Sequence, residues 1–185
     1  EQTPTAVLTA VGTVPVPNGP GRTTRTEELD LAVKSTPIDI ALFQPATTQL
    51  TKLAGQFSAD VRVRGTLESP RVNGLVETTN GGFSVVATGV TYTNAIGRLS
   101  FEGDRVLVDR FELSDDDLDK LVAIGELGIE RRSIGQMNLQ ISTSQFKVLD
   151  NEFGDMQIDS DIRVTGEVAK PIVTGEIATR TGRLE

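Results

Sequence analysis

Asp60-Val61-Arg62-Val63-Arg64-Gly65-Thr66-Leu67-Glu68-Ser69-Pro70-Arg71-Val72-Asn73-Gly74-Leu75-Val76 is the stretch on which the fold turns. Up to Gly65 apolar and charged residues alternate. In a strand this spacing sends the apolar side chains to one face and the charged ones to the other, the pattern of a half-exposed sheet. Val61, Val63 and Leu67 share one row, with Gly65 in the same register. After the Pro70 turn the phase shifts, and Val72, Gly74 and Val76 take over the row. A glycine in a strand removes a side chain and permits a bend or a close approach. Two neighbouring strands bent at matched glycines curve the sheet, and a curved sheet with one apolar face is a trough.

The stretch recurs. Residues 60–83 align without a gap on residues 161–184, an offset of 101 positions, with identities at nine of the 24 pairs. These include Asp60/Asp161, Val63/Val164, Gly65/Gly166, Pro70/Pro171 and Gly74/Gly175. Leu29-Asp30-Leu31-Ala32-Val33 resembles Met137-Asn138-Leu139-Gln140-Ile141 ahead of the second copy. The repeat is therefore a multi-strand unit of about a hundred residues, of the kind that stacks to share one apolar face. The expected organisation is 1–59, strands and a short helix leading in; 60–160, a first full unit; and 161–185, the start of a second.

Alternation continues elsewhere, at Val106 and Val108 against Leu107 and Asp109, from Gln136 to Ser142, and around Ile162 and Val164. Turn signals stand at Pro17–Gly21, Glu68–Pro70, Thr79–Gly82, Glu102–Asp104 and Asn151–Asp155. They predict a dozen or more strands joined by hairpins. Leu50, Leu53 and Ala54 at helical spacing before Gly55 predict a turn or two of helix over Thr47 to Gly55, as a plug or lid on one side of the sheet, or else a plain loop. The fold class expected is all-β: an elongated, curved repeat sheet with an apolar groove and at most one or two short helical turns.

Composition narrows the function. The chain of 185 residues carries 18 basic and 26 acidic residues, net charge −8, with no basic tract. That argues against nucleic acid, which requires clustered Lys and Arg, and makes an anionic membrane surface a poor electrostatic match. There is no cysteine and no histidine, so disulfides, thiol catalysis, Ser-His chemistry and Cys- or His-based metal sites are excluded. No Walker, nucleophile-elbow or dinucleotide motif is present. Asp115-Asp116-Asp117-Leu118-Asp119 lacks the spacing of a calcium loop and reads as a solvated acidic turn. Asp104 and Asp109 fall on polar faces. No apolar run approaches membrane-spanning length. The chain opens Glu1-Gln2-Thr3 without a leader pattern and is expected to be part of something longer. The expectation is a protein that is not an enzyme and needs no cofactor.

At the quoted motifs the chain resembles the TamB family, related to the AsmA-like, bridge-like lipid transfer proteins. The shared pattern is a strand ending in glycine, a short turn with proline, then apolar-x-Gly-x-apolar. It stands here from Val63 through Gly65, Pro70 and Gly74 to Val76, and again from Val164 through Gly166, Pro171 and Gly175 to Ile177. Leu29 to Pro37, Gly97 to Val106 and Val11 to Pro15 resemble the family too. One departure is Asp115 to Lys120, where such proteins continue with a glycine-rich hairpin. The resemblance implies a β-taco in a protein anchored in the inner membrane and spanning the periplasm of a diderm bacterium. It implies a TamA-like outer-membrane assembly barrel as partner. It also implies a role in moving phospholipid toward the outer membrane, with an effect on outer-membrane protein assembly and secretion.

The expected groove floor is Val61, Val63, Leu67, Val72, Val76, Leu99, Phe101, Val106, Val108, Leu139, Ile141, Ile162, Val164, Val168 and Ile177, facing phospholipid acyl chains. The same rows would serve as the closed core of a sandwich or barrel in a structural or adhesive β-repeat of a secreted or surface protein. Alternation alone favours that closed core; the tandem repeat and the family resemblance favour the trough. Open sheet edges invite end-to-end pairing.

Overall fold

A computed structural model describes residues 6–15, 28–130 and 133–184. Its strands are β1 (Leu8–Thr13), β2 (Leu29–Ser35), β3 (Ile38–Asp39), β4 (Leu50–Gly65), β5 (Pro70–Val85), β6 (Thr91–Gly103), β7 (Arg105–Ser114), β8 (Lys120–Glu130), β9 (Ser133–Asn151), β10 (Gly154–Glu167) and β11 (Lys170–Leu184). They form a single open, curved antiparallel sheet of taco-like form. The order follows the chain, β1-β2-β4 and then each strand to β11, with the short β3 paired beside β2 on β4. The unit boundaries read from the repeat fall inside β4 and β10, so the sheet runs through them without a break.

Register turns the sequence alternation into continuous rows. Ala10, Val33, Val61, Gly74, Phe101, Val106, Leu127, Met137, Gly166 and Pro171 stand opposite one another across every strand but β3. A second row runs Ala59, Val76, Leu99, Val108, Gly125, Leu139, Val164, Val173. A third runs Phe57, Thr78, Gly97, Phe111, Ala123, Ile141, Ile162, Gly175. Because side chains alternate between faces, all three rows lie on one face, called inner below.

The opposite face is polar. Arg62 grips Asp30 with two hydrogen bonds of 2.7 Å, Lys34 pairs with Asp60 at 2.7 Å, and Arg98 pairs with Glu77 at 2.7 Å. Water and salt screen such exposed pairs, so they add little to stability; their main effect is to make one side of the sheet wet.

Gly74 and Gly175, matched in the sequence alignment, share one backbone geometry, which Gly12 and Gly125 adopt as well. Gly74 (φ 139°) and Gly175 (φ 132°) each receive a neighbouring carbonyl where a side chain would stand. A Cβ on Gly74 would lie 2.1 Å from the Asp60 oxygen, and one on Gly175 would lie 2.2 Å from the Asp161 oxygen. Asp60 and Asp161 are themselves the paired first residues of the two copies. Only glycine permits this approach.

Three expectations change. Thr47 to Gly55 is not helical. The helix is a 3-10 segment, Ile40–Ala46, started by Asp39, whose carboxylate accepts from the Ala41 N–H at 2.8 Å. The Leu50 and Leu53 spacing comes instead from a bulge at Lys52 (φ 55°) within β4, where the ladder to β5 slips. Gln44 on the helix fills that break: its amide nitrogen donates to the Leu50 carbonyl at 2.9 Å, and its amide oxygen accepts from the Leu53 N–H at 3.0 Å. Thr79 to Gly82 is not a hairpin turn either. Asn80 (φ 51°) forms a bulge inside β5, and Gly81 is buried, with room for a Cβ denied by Ala95 at 2.8 Å. The strands among the described residues number eleven, not a dozen or more, because this segment continues a strand instead of ending one. The Pro17–Gly21 turn lies outside the described residues. Glu68–Pro70, Glu102–Asp104 and Asn151–Asp155 do sit at strand junctions.

Candidate functional site: an apolar inner face closed at one rim

Thirteen of the fifteen expected groove residues stand in register on the inner face: Val61, Val63, Val72, Val76, Leu99, Phe101, Val106, Val108, Leu139, Ile141, Ile162 and Val164, and Ile177 on the edge strand. Val106 and Val108 are buried, and the others apart from Ile177 are half-buried. Ile177 lies on β11 and is exposed, as are Val173 and the rest of that edge strand through Arg180. Leu67 and Val168 fall in the hairpin turns after β4 and β10, so the rows do not include them.

The two rims of the sheet differ. At the rim formed by the β5–β6, β7–β8 and β9–β10 turns, the inner face closes on itself. Tyr92 of β6 stacks on Phe146 of β9, with centroids 5.2 Å apart and planes 4° apart, and Phe83 of β5 leans on Tyr92 at 5.4 Å. Flat sheet geometry would hold β6 and β9 roughly 14 Å apart. They meet because β7 and β8, of 10 and 11 residues, are shorter than β5, of 16, and β9, of 19. The longer hairpins close over the notch. They bond to each other there: the Asp150 N–H donates to the Thr88 carbonyl at 2.8 Å, and Asn151 Nδ2 donates to the Ala87 carbonyl at 3.1 Å. Val90, Tyr92, Ala95, Leu113 and Phe146 form the buried cluster, with Phe83, Val85, Phe111, Leu121 and Val148 packed around it.

Polar groups lock the closure from behind. Asp115, expected in a solvated turn, is fully buried. One carboxylate oxygen accepts from the Asp117 and Asp119 N–H groups at 3.0 and 2.9 Å, and the other accepts from the Lys147 N–H at 2.7 Å. Asp116 and Asp117 remain exposed. Three backbone donors replace the water Asp115 gives up, and this offsets the cost of burying its charge. The Tyr92 hydroxyl donates to the Lys147 carbonyl at 3.1 Å, so the main chain of Lys147 is held from both sides. The Lys147 ammonium meets Asp116 at 2.9 Å, Asp117 at 3.1 Å and Asp150 at 3.7 Å. The hydrogen bond to Asp116 is the largest cause raising the Lys147 pKa, joined by Asp117. Burial, followed by the charges of Asp115 and Asp116, raises that of Tyr92.

Beside the closure lies a cleft of about 320 Å³ lined by Tyr92, Leu113, Leu121, Ile141, Thr143, Phe146, Val148, Ile158, Ser160 and Ile162. Its two hydroxyls, Thr143 and Ser160, bond to each other at 2.9 Å, and the rest of the lining presents hydrocarbon to the cleft apart from the Tyr92 hydroxyl. Of these residues, the sequence pattern points only to Ile141 and Ile162. A bulge at Gln145 (φ 53°) hides Phe146 and Val148 by reversing the alternation after Thr143. The usable signal is the apolar pair at 146 and 148, one step out of phase with 139 and 141.

The described residues hold no group of three or more carboxylates placed to bind a metal ion. None of their helices is long and apolar enough to cross a membrane. Comparison with curated proteins and with solved structures finds no match. The family described as the TamB C-terminal domain matches residues 109–185, from β7 to the end of the chain. Over that stretch, somewhat less than half of the chain, the sequence is similar to the TamB family, the family of the translocation and assembly module.

Proposed function

We propose that the inner face is a conduit for phospholipid acyl chains within a periplasm-spanning member of this family, working with a TamA-like barrel toward outer-membrane biogenesis. The observation that carries it is the unbroken apolar row from Ala10 on β1 to Pro171 on β11, which runs across the strands and therefore along the sheet. A lipid tail in water costs about 0.8 kcal/mol per methylene, and a continuous apolar strip offsets most of that cost along a path. The rows contain valine, leucine, isoleucine, phenylalanine and glycine with almost no polar interruption, so no point along them holds a tail by specific bonds. Headgroups stay in water at the open side.

The closure at Tyr92 and Phe146 favours the second reading, a structural or adhesive β-repeat with a sealed core. It covers only one rim, and the rows through Val61, Val76 and Val164 remain half-buried. Photo-crosslinking separates the two. A crosslinking residue at Val63, Val164 or Ile141 yields phospholipid adducts in cells if the face is a conduit, while outward Arg62 yields few. Adducts absent from all three inward sites, or equal at Arg62, would refute the conduit.

A further inference from the structure

We infer that the cleft beside Tyr92 is a side pocket that takes the methyl end of one hydrocarbon chain. The inference rests on the reading that the inner face meets acyl chains, and adds to it a fixed place, a number of chains and an orientation. Size gives the number. A dry protein cavity of about 150 Å³ accommodates one benzene ring, so about 320 Å³ takes roughly a dozen carbon atoms, most of one chain and not two. Chemistry gives the orientation. Leu121, Ile141, Ile158 and Ile162 form its walls with the two aromatic rings, and the Thr143 and Ser160 hydroxyls satisfy each other. The lining includes no cationic group, so a headgroup entering would lose its water without compensation.

The chain itself carries the probe. It has one tyrosine and no tryptophan, so all intrinsic tyrosine emission comes from Tyr92 in the pocket wall. A fatty acid with a nitroxide near its methyl terminus, added below its micellar concentration, is expected to quench most of that emission. The isomer labelled beside its carboxylate is expected to quench little. Ile158→Phe and Leu121→Phe, which fill the space from two strands, should each abolish the difference while circular dichroism stays native; two variants guard against one misfolding. Equal quenching by both isomers, no quenching, or quenching that survives both fillings overturns the pocket. Lipid adducts at Val63 and Val164 without quenching of Tyr92 would remove the pocket alone, whereas depth-dependent quenching without adducts would keep the pocket and remove the conduit.

Discussion

At the scale of single residues, glycine and tyrosine carry the most testable content. Gly74→Ala drives a methyl into the Asp60 carbonyl at a backbone angle alanine rarely adopts; a strained residue of this kind costs about 1–3 kcal/mol, and the clash adds to it. Gly103 has φ 73°, yet nothing lies within 4 Å of where a Cβ would stand, so Gly103→Ala incurs only the left-handed penalty of about 1–2 kcal/mol. Urea unfolding should rank Gly74→Ala below Gly103→Ala; equal losses would mean that the close approach is not structural. Tyr92 and Lys147 both have raised folded pKa values. Each therefore contributes stability that is complete below its ordinary value, about 10, and lost as pH rises through the folded one. Stability should be lost on the alkaline side, with the phenolate band of the single tyrosine appearing at higher pH than in unfolded chain. Tyr92→Phe should flatten that alkaline slope and cost about 1 kcal/mol at neutral pH through the lost bond to the Lys147 carbonyl.

At the scale of elements, the β7–β8 turn decides how the rim closes. Its acidic run departs from the glycine-rich hairpin expected of the family, and the structure shows what the departure does: Asp115 turns inward and ties the turn to β9. Asp115→Ala leaves three N–H groups without an acceptor and is expected to cost about 3 kcal/mol, with loss of the Tyr92–Phe146 stack visible in tyrosine emission. Asp115→Asn, which can still accept, should lose less. Strand identities and most hairpins are legible because period-two alternation survives wherever the ladder is regular, as from Val61 to Arg64 and Gln136 to Ser142. What stays hidden lies where alternation slips, at the bulges of Lys52, Asn80, Asn94 and Gln145, all with positive φ. Asparagine tolerates that conformation, so Asn80 and Asn94 carry a signal. Lys52 and Gln145 carry none, and the helix expected over Thr47 to Gly55 and the concealment of Phe146 both trace to them. Asp115 is illegible for another reason: burial of its charge depends on a donor supplied from β9, 32 positions away.

At the scale of the whole molecule, the sheet is a strip with one apolar side and two unpaired edges among the described residues, β1 and β11. Val11 and Leu8 are exposed at one edge, Val173 and Ile177 at the other. Such edges pair readily with other strands, and concentrated protein is expected to associate end to end; Val173→Lys with Ile177→Lys should reduce that association in sedimentation without changing stability by more than about 0.5 kcal/mol. The continuity of the apolar rows is legible from the repeat, whereas their closure at one rim depends on the strand lengths. The repeat also makes a demand on function: equivalent positions Val63 and Val164, 101 residues apart, should meet the same cargo. The sharpest measurement is photo-crosslinking at those two positions in cells, with Arg62 as the outward control. A shared conduit gives phospholipid adducts at both valines and few at Arg62; adducts at neither valine, or as many at Arg62, are incompatible with it.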